Sequence, residues 1–292
     1  MSLEERKRSI RKLVFASSAL SRALLAGDFR SSFKGRGMDF DGLREYGVED
    51  DALRIDWNAS SRLGRPYVKT YRDDRNLSVY IVIDESASMD YGEGGAKAER
   101  AALTASLVAY ACSLNGVRVG ALFFGGDGLE HREPASGGRA ALALMERIAE
   151  GRRGEGRGSE LGAALEAAAS YLKRRSLVLV ISDFDMEAYA LPLAVLARRH
   201  DLAALLVRDK KGRLASMPPF CVRAIDAESG RSALVFGSSR SYREGVERAA
   251  KTQRLAWLAA VAAARVPYLE LGPDTDIARA LIAFFSKARR RA

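Results

Sequence analysis

One run in the chain leaves no position for water. Leu77, Val79, Ile81 and Ile83 alternate with Ser78, Tyr80 and Val82, and the run stops abruptly at Asp84. Large or β-branched residues at both parities predict a strand buried on both faces, as in parallel sheets. A second run of this kind, residues 176–182 (SLVLVIS), also stops at an acid, Asp183. From residue 77 onward such runs alternate with helical periodicity. Strands are expected over 77–84, 117–124, 176–182, 201–207 and 267–271, and helices over 97–114, 139–150, 160–173, 189–200, 239–264 and 274–288. In the first of these helices Ala101, Leu103, Leu107, Val108 and Ala111 are expected to face inward. Gly125–Gly128 signals a hairpin, so 129–134 reads as a short antiparallel edge strand, and 220–236 reads as a second hairpin. Ser159, and Asp274 or Thr275, are expected as N-caps. The alternation predicts an α/β fold, a mainly parallel sheet with helices on both faces.

Upstream the pattern changes. Residues 2–27 predict a helix with an apolar stripe of Leu13, Val14, Leu20, Leu24 and Leu25. Residues 30–75 are too rich in Gly, Asp and Arg to form a core element alone. They nevertheless carry Phe33, Phe40, Leu43, Tyr46, Ile55, Trp57, Tyr67 and Tyr71, too many anchors for a free linker. The expectation is a clasp that wraps on the larger body, with Arg44, Glu45, Asp50, Asp51, Arg54 and Asp56 in salt-bridged turns. The chain thus divides into 1–76, an N-terminal helix and wrapping segment, and 77–292, a domain with a hairpin insertion near 220–236.

The composition narrows the function classes. At 292 residues, 48% hydrophobic and 29% charged, the chain is long enough for a substantial core. Its two cysteines, Cys112 and Cys221, predict a reducing compartment rather than a disulfide framework. The N-terminal MSLEERKRSIRKL lacks the apolar region of a signal peptide, and no apolar run reaches the roughly 18 residues of a spanning helix. The expectation is a cytoplasmic protein with no membrane span. A net charge of +10 raises nucleic-acid binding. The arginines are spread along the chain without aromatic interleaving, which favours a basic surface that meets an acidic partner, or simply confers solubility, over nucleic acid.

The candidate chemistry lies where the first apolar run ends. Asp84, Ser86 and Ser88 follow at spacing two, so in an extended loop their oxygens face the same way. They sit just beyond the carboxyl end of a buried strand, where open α/β sheets bind ligands. A carboxylate and two hydroxyls suit a hard cation such as Mg²⁺ or Mn²⁺. Ser159, in a Gly/Arg-rich loop, and Asp183, after the second run, can open onto the same crevice. Taken singly, each is also an ordinary turn or cap residue. Other signatures fail. The GGAK at 94–97 lacks the Gly-Lys-Ser/Thr of a phosphate loop, and no serine sits in a G-x-S-x-G elbow. His131 and His200 are the only histidines, too few for a zinc site. A metal-dependent phosphoester hydrolase and a docking site stay open as readings of these oxygens.

The same residues carry a resemblance. D-E-S-A-S at 84–88, Ser159 and Asp183 in S-D-F resemble the metal-ion-dependent adhesion site of von Willebrand factor A domains. GRGMDFDGLREY, the following DD, RIDWNASSRLGRPYVKTY and the later VLVISDF, RRHDL and DAESG resemble the bacterial family called domain of unknown function 58. The resemblance implies a von Willebrand A-like six-stranded sheet of order 3-2-1-4-5-6, with 129–134 as its antiparallel edge. It also implies a non-enzymatic adaptor working with a MoxR-type AAA+ ATPase in the assembly or maturation of protein complexes. In that scheme Asp84, Ser86, Ser88 and Ser159 (where the family usually has Thr) hold Mg²⁺ or Mn²⁺, and Asp183 binds it through water. An acidic residue of the ATPase or of a client protein completes the coordination. Many relatives carry N-terminal membrane helices; this sequence shows none, so no membrane location is carried over.

Overall fold

Between residues 38 and 73, where a clasp without core elements is expected, the chain builds a small sheet of its own. The computed structural model describes residues 20, 38–47, 56–73, 78–90, 96–125, 128–151, 160–186, 188–209, 221–225, 232–236 and 239–287. Strand β1 (Met38–Glu45) pairs antiparallel with β2 (Tyr67–Asp73), bulging between Phe40 and Gly42. Helix α1 (Trp57–Leu63) lies between them in sequence. Asp56 caps α1 by accepting from the backbone N–H groups of Asn58 and Ala59 at 3.0 and 3.2 Å. Gly64, in the left-handed conformation, ends the helix. Trp57, expected as an anchor, is 71% exposed, whereas Val68 is buried. Asp50, Asp51 and Arg54 lie outside the described residues. Of the expected helix 2–27 only Leu20 is described; it is helical and fully buried in the main core.

The main body follows the expected alternation. Strand β3 (Ser78–Asp84), the helical turn α2 (Ala87–Asp90), helix α3 (Ala96–Ser113), β4 (Arg118–Gly125), β5 (Gly128–Ala135) and α4 (Gly138–Glu150) come first. Helix α5 (Leu161–Tyr171), β6 (Leu177–Ser182), α6 (Ala190–Arg199) and β7 (Asp201–Val207) follow. A hairpin of β8 (Cys221–Ile225) and β9 (Ser232–Phe236) stands apart as its own sheet. Helix α7 (Arg240–Ala263), β10 (Tyr268–Leu271) and α8 (Ile277–Lys287) close the chain. The six-stranded sheet has the order β10-β7-β6-β3-β4-β5, with β5 antiparallel to β4 and the other pairs parallel. Counted within this domain, that is the order 3-2-1-4-5-6 with one antiparallel edge: the fold is von Willebrand A-like.

The alternation of β3 explains the layers. Val79, Ile81 and Ile83 enter one core with Leu20, α3, α4 and α8, while Tyr80 and Val82 enter the other with α5, α6 and Trp257 of α7. Each fully buried Leu, Ile, Val or Phe contributes about 1.5–3 kcal/mol to holding the layers together. Leu103, expected inward on α3, is exposed. The other four, Ala101, Leu107, Val108 and Ala111, are buried as expected, together with Ala105, Ala109 and Cys112. Two caps also differ from expectation. Helix α5 starts after Glu160 with no side-chain cap bond. Helix α8 is capped by Asp276, which accepts from Arg279 N at 3.1 Å, while Thr275 instead accepts from Gly272 N at 3.0 Å.

At the amino-terminal end of the sheet, His200 joins α6 to β7. It is 3% exposed, and neither ring nitrogen has a hydrogen-bond partner among the described residues. Burial, with Arg199 and Arg175 adding repulsion against the partial relief of Asp201, pushes its pKa down from 6.5 to about 4. The unfolded chain takes up this proton below about pH 6.5, and the native state does not until about pH 4. Stability is therefore lost as pH falls through that window, by roughly 3 kcal/mol at its lower end. Urea unfolding at pH 7.5 and 4.5 is expected to show wild type losing this stability relative to His200→Leu. An unchanged gap between the two proteins would contradict the assignment.

Candidate metal centre

The site begins where β3 runs out of sheet. Asp84 is buried, and its Oδ1 accepts from Ser86 N at 2.8 Å. The chain then turns rather than continuing extended: Met89 N donates to Ser86 O at 3.0 Å and starts α2. That turn brings Ser86 Oγ and Ser88 Oγ to 3.0 Å, both buried. The expected convergence of the two hydroxyls is thus made by a helical turn, not by pleat alternation. The turn is pressed on by the end of β4. Glu85 N donates to Phe124 O at 2.7 Å, and a Cβ on Gly125 (φ 103°) would meet Ser86 N at 2.4 Å, so only glycine fits there.

The second acid arrives from the neighbouring strand. Ile83 of β3 is in register with Ile181 of β6, so Ser182 lies beside Asp84, and Asp183 follows in the loop beyond. Ser182 Oγ donates to Asp84 Oδ2 at 2.5 Å and accepts from Phe184 N at 2.8 Å. Phe184 holds a left-handed backbone (φ 52°). Such a conformation costs about 1–3 kcal/mol. Burial of its ring between Tyr189 and Trp257, at centroid distances of 5.7 and 5.8 Å, offsets that cost. The turn leaves Asp183 Oδ1 accepting from Asp185 N at 3.0 Å and Oδ2 accepting from Lys97 Nζ at 2.6 Å. Burial, then the negative charge of Asp183, pushes the Asp84 carboxyl up to about 7, against hydrogen bonds from Ser182 and Ser86 that pull it down. Ser159, the remaining predicted ligand, lies outside the described residues.

A buried arginine braces the loop from the side. Arg147 of α4 is 4% exposed. Its Nη1 and Nη2 donate to the two oxygens of Glu85 at 2.9 Å each, and its Nε donates to Glu130 Oε2 at 2.7 Å. The guanidinium also lies 4.0 Å over the Phe123 ring. Glu85 stands between Asp84 and Ser86, so the fork fixes the backbone that carries both.

The donors fit a small hard cation. Among the described residues no three His, Cys, Asp or Glu side chains gather as a zinc site would require. The oxygens at hand are carboxylate and hydroxyl. The 3.0 Å separation of Ser86 Oγ and Ser88 Oγ is close to the edge of an octahedron with Mg–O bonds of 2.0–2.1 Å, about 2.9 Å. Both histidines lie elsewhere. His131 is on β5 and stacks on Tyr171 at 4.1 Å, and His200 is at the opposite end of the sheet. Sequence reasoning passed over Ser182, Lys97 and Arg147 as members of this site. Ser182 had a readable signal, since it ends a strand expected beside β3. The Lys97–Asp183 pair, 86 residues apart, had none.

Residues 42–256 match the family model described as protein of unknown function DUF58. Uncharacterized proteins of Mycobacterium bovis and Mycobacterium tuberculosis are each 30% identical over 279 residues, covering 92% of this chain and 85% of the relative. Among solved structures, an aerotolerance-related membrane protein from Bacteroides fragilis is similar at 13% identity and a TM-score of 0.42, covering 73% of this chain and 99% of the other. The SpRpn10 VWA domain is similar at 12% identity and a TM-score of 0.36, covering 74% and 95%.

Proposed function

This chain belongs to the DUF58 family, and from the oxygen cluster at the end of β3 we propose that it is a Mg²⁺-dependent protein-interaction module rather than an enzyme. The observation that carries the proposal is the meeting of Asp84, Ser86 and Ser88 with Asp183 at the carboxyl end of adjacent parallel strands. Both histidines lie away from that point. Ser86 and Ser88 would hold the ion directly, with Asp84, Asp183 and Ser159 as the remaining oxygen donors. A bound Mg²⁺ or Mn²⁺ supplies a Lewis-acidic point to which a partner's Asp or Glu adds the last oxygen. The resemblance to the family supports a MoxR-type AAA+ ATPase, or its client, as that partner, in the cytoplasm. Among the described residues no helix is long and apolar enough to cross a membrane.

The test is capture of the MoxR-type ATPase of the same organism by the purified chain. Capture is expected with Mg²⁺ or Mn²⁺ and is expected to be lost in a chelator. Undiminished capture in the chelator, or phosphoester turnover that disappears in Asp183→Ala, would overturn the reading.

A further inference from the structure

Lys97 is out of place by every local rule. It is the second residue of α3, where the helix dipole disfavours a cation and favours an acid. Yet its side chain is only 12% exposed and its ammonium lies 2.6 Å from Asp183 Oδ2, itself on a side chain 6% exposed. Burying a lysine costs free energy unless it is paired, and here the pair is made with one of the two acids of the candidate metal centre. Asp84 and Asp183 stand at the ends of adjacent strands, so two acidic side chains share one buried crevice. Among the described residues, Lys97 is the only cationic side chain within ion-pair distance of either carboxylate.

We propose that Lys97 is a tethered counter-cation, occupying through Asp183 the electrostatic place of the divalent ion and leaving it when the ion binds. This rests on the reading of the crevice as a Mg²⁺ site. The physical reason is charge balance. Two neighbouring acids in a low-dielectric crevice need a positive partner to stay ordered, and the ammonium provides it without metal. A divalent ion held by Asp84, Ser86 and Ser88 would share Asp183 with the ammonium, and two cations on one carboxylate repel. Metal binding therefore releases Lys97 towards solvent. The site is preassembled in both states, and the ion must compete with a ligand that never diffuses away. The measured affinity is lowered by the fraction of molecules in which the pair is formed.

Two measurements on the full chain, stripped of metal, test this. In calorimetric titrations with Mn²⁺ and with Mg²⁺, Lys97→Met is expected to bind about tenfold tighter or more than wild type, because at least nine molecules in ten are then relieved of the pair. Lys97→Arg, which keeps the charge, is expected to stay near wild type. In wild type, acylation of the Lys97 amine, followed by peptide mass spectrometry, is expected to speed up several-fold when Mg²⁺ is added. Metal binding by both wild type and Lys97→Met with no gain in the variant overturns the role of Lys97 and leaves the metal site standing. So does a labelling rate indifferent to bound metal. If no variant binds either ion, the metal reading falls as well. Should Lys97→Met fail to fold, the wild-type labelling decides.

Discussion

Replacing Asp84 with asparagine is expected to weaken divalent-cation binding and partner capture by roughly tenfold to a hundredfold or more while making the metal-free protein more stable. The two effects have one cause. Asp84 is buried, and burial together with Asp183 lifts its pKa from 3.8 to about 7. The unfolded chain ionises this group above about pH 4, the folded metal-free protein only above about 7. A carboxyl raised on folding opposes folding wherever it must ionise, so the cost grows from pH 4 to 7 and is complete above 7. Asparagine keeps the shape and can still accept from Ser86 N, and the Ser182 hydroxyl can rotate to accept the new N–H. Removing the charge is expected to add on the order of 1–3 kcal/mol at pH 8 and nothing at pH 4. Metal affinity should fall by at least the roughly 10- to 100-fold that loss of a supporting partner costs a metal site, since here a ligand oxygen is neutralised. Urea unfolding in a chelator and calorimetric titration with Mn²⁺ read the two halves separately. Retention of Mn²⁺ within a few-fold of wild type would remove Asp84 from the site. A loss of stability in the chelator would make it a structural hub. A position that destabilises the resting fold and serves the bound state is what a functional residue looks like energetically.

The sheet was legible because its strands advertise themselves one at a time. The runs 77–84 and 176–182 are apolar at both parities, which only a strand covered on both faces tolerates, and each ends in an acid where the sheet ends. The edge hairpin was announced by Gly125 and Gly128, both with positive φ. The β1–β2 pair was not legible, because its sequence mixes Asp, Arg and Lys with Phe, Leu and Tyr and lacks the apolar run that marks the other strands. The α1 helix carries local signals in Asp56 as cap and Gly64 as stop, but its seven residues are too few to show an apolar stripe. In the site, spacing two brought Ser86 and Ser88 forward for the wrong reason. An extended loop and a helical turn entered at Ser86 both converge their hydroxyls, and only the Met89 N to Ser86 O bond distinguishes them. Lys97 and Arg147 escaped because their partners are 86 and 62 residues away, and no local periodicity encodes such pairs.

Arg147→Ala is expected to cost about 3–5 kcal/mol of stability, the usual range for breaking a buried ion pair from one side. The residue is on a helix and far from the oxygens it serves, so a sequence reading gives it no special weight. In the fold it delivers three charge-assisted bonds of 2.7–2.9 Å to Glu85 and Glu130 and places its cation 4.0 Å over Phe123. Loss of the side chain withdraws a cation from two acids and opens a void against the ring. Arg147→Lys should recover only part of the loss, because a point charge cannot reproduce the fork on Glu85. The double variant Arg147→Met with Glu85→Leu should recover more of it, since an apolar pair of similar volume often replaces a buried ion pair without penalty. Stability and site geometry then come apart. Glu85 is the residue between Asp84 and Ser86, so the double variant restores packing but not the fork that fixes that backbone, and Mn²⁺ affinity should stay below wild type although stability returns. Thermal unfolding and Mn²⁺ titration of the three variants decide the matter. Arg147→Ala within about 1 kcal/mol of wild type, the scale of an exposed pair, would mean the guanidinium is not buried in an ion pair at all. Wild-type Mn²⁺ affinity in a stable double variant would mean the loop holds its own shape without Arg147.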